Sequence, residues 1–178
     1  MALRWKTKLF YAILVTCVLV IAATCLPTSL RPTTSPAIAL PMPSDFSLIF
    51  RYGVGAKNVL DAFNGTYTRD MVIDPPVTVN LSLSNEELRN IYQKMIEISF
   101  FSYPENVPPR PNLHVYPHQD YYAKVQCDSK TKEVSWSYES MFEQDFGDGL
   151  TQLVNCITHT IESREEYRKL PTPKAGYI

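Results

Sequence analysis

The sequence predicts an α+β domain behind a membrane-directed leader, and three observations carry that expectation. Residues 9–26 form an 18-residue apolar run with no charge, preceded by Arg4, Lys6 and Lys8. Farther along, several segments alternate apolar with polar side chains, the pattern of strands with one covered and one wet face. Two other stretches, Leu88–Met95 and Leu150–Ile161, repeat their apolar residues at helical spacing instead.

As a helix, the run LFYAILVTCVLVIAATCL spans roughly 27 Å, close to the hydrocarbon thickness of a bilayer. Cations before it and none inside it favour a cytoplasmic Met1–Lys8, with everything after Leu26 exported. Three fates fit the leader: an uncleaved transmembrane anchor, a cleaved secretory signal, or acylation at Cys25, since Ala22-Ala23-Thr24-Cys25 approximates a bacterial lipobox. All three place the following chain on the extracytoplasmic side of a cell membrane. Residues 27–44 hold five prolines among Ser, Thr and Ala, which disfavours a packed element and predicts a semi-extended spacer. Residues 45–178 remain for one folded domain.

Within that domain, Phe46, Leu48, Phe50 and Tyr52 fall on one side of a first strand, and Gly53-Val54-Gly55 supplies a turn. A second extended segment covers residues 58–71, with a turn or bulge at Asn64-Gly65. Pro75-Pro76 is expected to break the chain before a strand carrying Val77, Val79, Leu81 and Leu83. Ser84-Asn85-Glu86-Glu87 fits a capping box and predicts a helix over residues 85–97. Ile98, Phe100, Phe101 and Tyr103 follow as an aromatic knot that seats this helix on the sheet. Residues 104–118, again with five prolines, read as a surface loop. Tyr121, Ala123, Val125 and Cys127 share one face of a strand, which a polar turn over residues 128–132 joins to a partner bearing Val134, Trp136 and Tyr138. Asp148 is the expected N-cap of a second helix. The whole is an antiparallel sheet with two helices packed on one face. Strands followed by a helix occur twice, an order that a duplicated ββα unit would also produce.

Composition excludes some functions. Three of the 17 basic residues sit in the leader, which leaves the exported part mildly acidic against 18 acidic residues, and no cationic run follows. Nucleic-acid binding needs clustered cations and is excluded. No phosphate-binding, serine-hydrolase or metalloprotease motif is present, and no cofactor is implied. Cys127, on the covered face of its strand, and Cys156, on the flank of the second helix, are a candidate disulfide in an oxidising compartment. Two buried thiols are the alternative. His114, His118 and Asp120 are weak candidates for a metal site, because no fourth ligand lies near them; solvated loop residues are the ordinary reading. Asp61, Asp70 and Asp74 are carboxylates that turn capping and exposure also explain. His159 is expected to be a partly exposed helix residue.

The segment YGVGAKNVLDAFNGTYTRDM, the following LSLSNEELRNIYQKMIEISFFSYPE and the closing EYRKLPTPKAGYI carry a resemblance. Over residues 45–178 the chain resembles a family of uncharacterised bacterial extracytoplasmic proteins, many of them predicted lipoproteins. The resemblance implies export and supplies no activity or site. The expectation that follows is a membrane-tethered, non-catalytic domain that binds an envelope protein, a glycan or a lipid. Its candidate surface comprises the polar sheet face and the tyrosine-rich loop with Tyr103, Tyr116, Tyr121 and Tyr122, since tyrosines offer large contact area at little rotamer entropy. The rival is an extracytoplasmic hydrolase using Asp70 or Asp74 with His114 or His118, which requires these groups to converge in one cleft.

Overall fold

The computed structural model describes residues 41–178. The leader, the acylation candidate Cys25 and most of the spacer lie outside them. Among the described residues no helix is long and apolar enough to cross a membrane.

Six strands form one antiparallel sheet: β1 (Ser47–Tyr52), β2 (Asn58–Asp61), β3 (Thr66–Met71), β4 (Asp74–Asn80), β5 (Asp120–Cys127) and β6 (Lys130–Ser137). Their spatial order is β4-β3-β2-β1-β5-β6. The first four strands are a meander. The chain then passes through helix α1 (Asn85–Glu97) and the proline-rich loop, and returns to place β5 against the free side of β1. After β6 come a 3₁₀ turn (Tyr138–Phe142), helix α2 (Gly147–Ser163) and the short α3 (Glu165–Arg168).

Alternation sets which side chains are covered. Leu48 and Phe50 of β1, Leu60 of β2, Tyr67 of β3, Ala123 and Val125 of β5, and Val134 and Trp136 of β6 are buried in one cluster. The same cluster takes Ile91, Tyr92 and Met95 from α1 and Leu150, Leu153, Val154, Ile157 and Ile161 from α2. The expected α+β sheet with two main helices is therefore observed. Four strands precede the first helix and two precede the second, so the two halves are not equivalent ββα units.

The capping box forms as expected: Glu87 N–H donates to Ser84 Oγ (3.2 Å), and Ser84 N–H donates to Glu87 Oε2 (2.7 Å). The turn expected at Asn64-Gly65 is present, with Gly65 at φ 64°, and divides residues 58–71 into two strands. Elsewhere the sequence expectations need correction. Pro75-Pro76 does not interrupt the chain but opens β4. That strand is the sheet edge, where a missing N–H disrupts no ladder on its outer side. The β5–β6 turn consists of Asp128 and Ser129 alone, both at positive φ, the geometry of a tight hairpin. Asp148 is not the N-cap of α2. That position belongs to Phe146, which makes no capping bond and packs edge-on against Tyr103 at 5.0 Å, so packing rather than capping sets the helix start.

Cys127 and Cys156 both carry free thiols, so the bridge expected from sequence is not formed in this structure. Each has its own neighbours: Cys127 lies beside Asp45 and Asp128, and Cys156 beside Lys94 and Glu97 of α1. Burial pushes both thiols up; Asp128 and Asp45 add to this at Cys127, whereas at Cys156 Lys94 opposes it and Glu97 adds to it.

The start of α2 yields a sharp prediction. A Cβ on Gly147 would collide with the backbone carbonyl of Met141, which cannot swing aside as a side chain can. Gly147→Ala is expected to cost about 1–3 kcal/mol, read as a lowered denaturation midpoint. An unchanged midpoint would show that the turn after β6 yields freely.

Candidate functional site

Loop 104–119 is built onto the molecule by backbone bonds and two buried polar residues. Glu105–Val107 runs beside the free edge of β6: Ser135 N–H donates to the Glu105 carbonyl (2.7 Å) and Val107 N–H to the Ser135 carbonyl (2.9 Å). Farther on, Arg110 N–H donates to the Glu139 carbonyl (3.3 Å), and Tyr138 N–H donates to the Gln119 carbonyl (2.9 Å). A cis peptide precedes Pro117.

The anchors are Glu139 and Ser140, adjacent in the turn after β6. Among the described residues they are the two buried side chains of polar or charged type. Ser140 Oγ donates to the Val107 carbonyl (3.0 Å), which holds the start of the loop. Glu139 Oε1 accepts from Val115 N–H (3.0 Å) and faces His118 Nδ1 (3.4 Å), which holds its middle and end. The other ring nitrogen, His118 Nε2, lies 3.0 Å from Asp120 Oδ1. An imidazole between two carboxylates can donate on both sides when doubly protonated.

Between this loop and the sheet end lies a cleft of about 780 Å³, within the size range of small-ligand sites. Arg110, His114, Tyr116, His118, Asp120 and Glu139 are among its walls. A smaller depression beside it is lined by Ile49, Arg51, Ala56, Tyr122 and Lys124. Ala56 and Tyr122 border both, so the two form one groove that runs onto the outer sheet face.

Glu139 is the unusual member. Its residue is 4 % exposed, and its Oε2 has no hydrogen-bond partner. Burial works against its charge, yet the hydrogen bond from the Val115 N–H, the nearby backbone N–H of Glu139 and hydroxyl of Ser137, and His118 beside it hold its carboxyl down at about 2. A buried, ionised oxygen without a donor is costly. Sequence reasoning missed this residue: Glu139 follows a strand as surface glutamates commonly do, and no spacing marks its burial.

The four candidate tyrosines separate into two groups. Tyr103 and Tyr121 are each 6 % exposed and belong to the core. Tyr121 stacks on Trp136 at 5.5 Å, and burial pushes its hydroxyl up to about 12. Tyr121 nonetheless lines the floor of the cleft, whereas Tyr103 does not border it. Tyr116, 85 % exposed, and half-buried Tyr122 remain at the groove.

The structure does not bring the proposed acid–histidine pairs together. Asp70 accepts from the Tyr177 hydroxyl (2.5 Å), Asp74 pairs with Lys174 (2.9 Å), and Asp61 caps the Asn64 turn. These contacts fasten turns and the C-terminal tail to the β2–β4 side. Strand β3 lies three positions from β5, roughly 14 Å across the sheet, and neither Asp70 nor Asp74 lines the cleft that holds His114 and His118. Among the described residues, no group of three or more His, Cys, Asp or Glu is arranged to hold a metal ion. His118 receives no hydroxyl or thiol hydrogen bond among them either. His159 is exposed on α2. No family model matches the chain, and comparison with curated proteins gives no match.

Proposed function

We propose that this chain is a membrane-tethered, extracytoplasmic domain that acts without catalysis, by binding a ligand in the cleft roofed by residues 104–119. The observation that carries this reading is the buried Glu139 carboxylate, which pins the roof through Val115 and His118 while its second oxygen has no donor. A wall so constructed is preorganised, so little ordering cost attends binding. The charged leader and its apolar run support the tether, as does the resemblance of residues 45–178 to bacterial extracytoplasmic proteins. Placement within the domain agrees with it: the chain enters at the Ser47 end of β1, and the cleft lies at the opposite, Tyr52 end.

Site-specific photocrosslinking in intact membranes tests the reading. A photoreactive residue replacing Tyr116 is expected to give a discrete adduct by mass. One replacing Asn64, in the turn at the far end of β3, is expected to give none. Equal adducts at both positions, or none at Tyr116, would overturn the proposal.

A further inference from the structure

His118 stands between two groups that can only accept. Its Nδ1 faces Oε1 of buried Glu139 at 3.4 Å, and its Nε2 lies 3.0 Å from Asp120 Oδ1. A carboxylate has no proton to offer, so each contact is a hydrogen bond only if the ring nitrogen carries one. The doubly protonated imidazolium alone makes both. A neutral ring has a single N–H, and the shorter contact, to Asp120, is the one it retains. Its bare Nδ1 then points a lone pair at Glu139 Oε1. Glu139 stays ionised throughout the range in which imidazoles titrate, because its carboxyl is held down at about 2.

The two contacts join different things. His118 and Asp120 are neighbours in the chain, so their contact spans only the junction of loop and β5. The contact to Glu139 crosses 21 residues and fastens the roof to the turn after β6. Other fastenings hold the rest of the loop: Ser140 Oγ donates to the Val107 carbonyl, Arg110 N–H to the Glu139 carbonyl, and Tyr138 N–H to the Gln119 carbonyl. Between Arg110 and Gln119, the Val115 N–H shares Glu139 Oε1 with His118. Loss of the His118 bond therefore loosens the stretch around exposed Tyr116 and leaves the ends of the loop seated. Few other titratable groups surround the ring. Arg110, His114 and Tyr116 of the loop line the same cleft, and none of them hydrogen-bonds to His118 among the described residues. On β5, burial pushes the hydroxyls of Tyr121 and Tyr122 up, so both stay neutral.

Resting on the binding role proposed above, we infer that His118 is a proton-operated clasp on the cleft. Protonated, it ties the middle of the roof to Glu139 and keeps the ligand-binding wall formed. Neutral, it lets that wall loosen and release what it holds.

Hydrogen exchange at the Val115 amide of the full-length chain in detergent micelles is the test. Protection factors are compared, so that the intrinsic rise of exchange rate with pH cancels. Protection is expected to fall about fivefold between about pH 5.5 and pH 8, the worth of one hydrogen bond between charged groups at a partly exposed site. The Leu81 N–H, bonded to the Gly65 carbonyl at the far end of the sheet, is expected to keep its protection. His118→Gln, at a half-exposed position that does not threaten folding, is expected to make Val115 protection independent of pH. His114→Gln is expected to leave the fall intact, and Asp120→Asn to shrink it. Constant protection in the wild type, or an equal fall in His118→Gln, would overturn the inference. The photocrosslink at position 116 separates the clasp from the binding role, with a several-fold higher yield of adduct expected at the acid end of the range. Equal yields at both ends would overturn control by the clasp and leave the binding role standing. No adduct at either end would overturn the binding role itself.

Discussion

Replacing Trp136 with alanine is expected to lower the stability of the domain by about 3–5 kcal/mol. The indole is 4 % exposed, stacks on Tyr121 with an interplanar angle of 8°, and lies 6.2 Å from Phe50. Its removal would leave a void directly under the sheet end that carries the cleft, among rings fixed in their own packing. Trp136→Phe separates volume from polarity. The indole Nε1 has no hydrogen-bond partner, so phenylalanine forfeits no hydrogen bond and keeps most of the contact area. Its cost is expected to be under half that of alanine in urea denaturation. Equal costs for the two variants would show that the indole N–H contributes a bond of its own.

The second large effect concerns acid. Glu139 titrates near 2 in the folded chain against an ordinary value of 4.5, so folding favours its charged form. Its contribution is fully present above about pH 4.5 and is lost as pH falls from there to about 2. Linkage sets its size at about 3 kcal/mol. Glu139→Gln is expected to flatten the acid arm of the stability curve by that amount and to loosen the roof at neutral pH, where Val115 and His118 lose a charged acceptor. Hydrogen exchange at the Val115 amide measures the second effect. Glu87 and Glu166, both lowered by hydrogen bonds that include Arg164, contribute their own acid sensitivity in wild type and variant alike. The difference between the two curves therefore isolates residue 139. Identical acid arms would mean that the carboxyl is not held in its charged form by the loop.

Much of the scaffold was readable before any coordinates. Alternation in Phe46–Tyr52 and Tyr121–Cys127 marked the covered face, and Ser84 with Glu87 marked the start of α1 within a residue. These signals are local, and local geometry decides them. Tyr121 is instructive, because the pattern that grouped it with Ala123 and Val125 already assigned it to the core, and its amphipathic ring suggested a surface nonetheless. Pro75-Pro76 was misread because proline's effect depends on whether a strand lies at an edge, and edge position is a property of the whole sheet. Glu139 was invisible for the same kind of reason. Its burial comes from a loop more than twenty residues earlier in the chain folding back across it, and nothing within its own turn records that encounter.

The opposed placement of chain entry and cleft has a mechanical consequence. Strand β1 receives the polypeptide at Ser47 and ends beside the groove, while β2 and β5 hold it on both flanks. A load drawn between the cleft and the Ser47 end of the domain runs parallel to that central strand. Its flanking ladders then bear the force in shear, all rungs at once, instead of parting one after another like a zip. Asp45, whose carboxylate accepts the N–H groups of Asp128 and Ser129, fastens the entry point to the β5–β6 hairpin and spreads the same load into a neighbouring pair of strands.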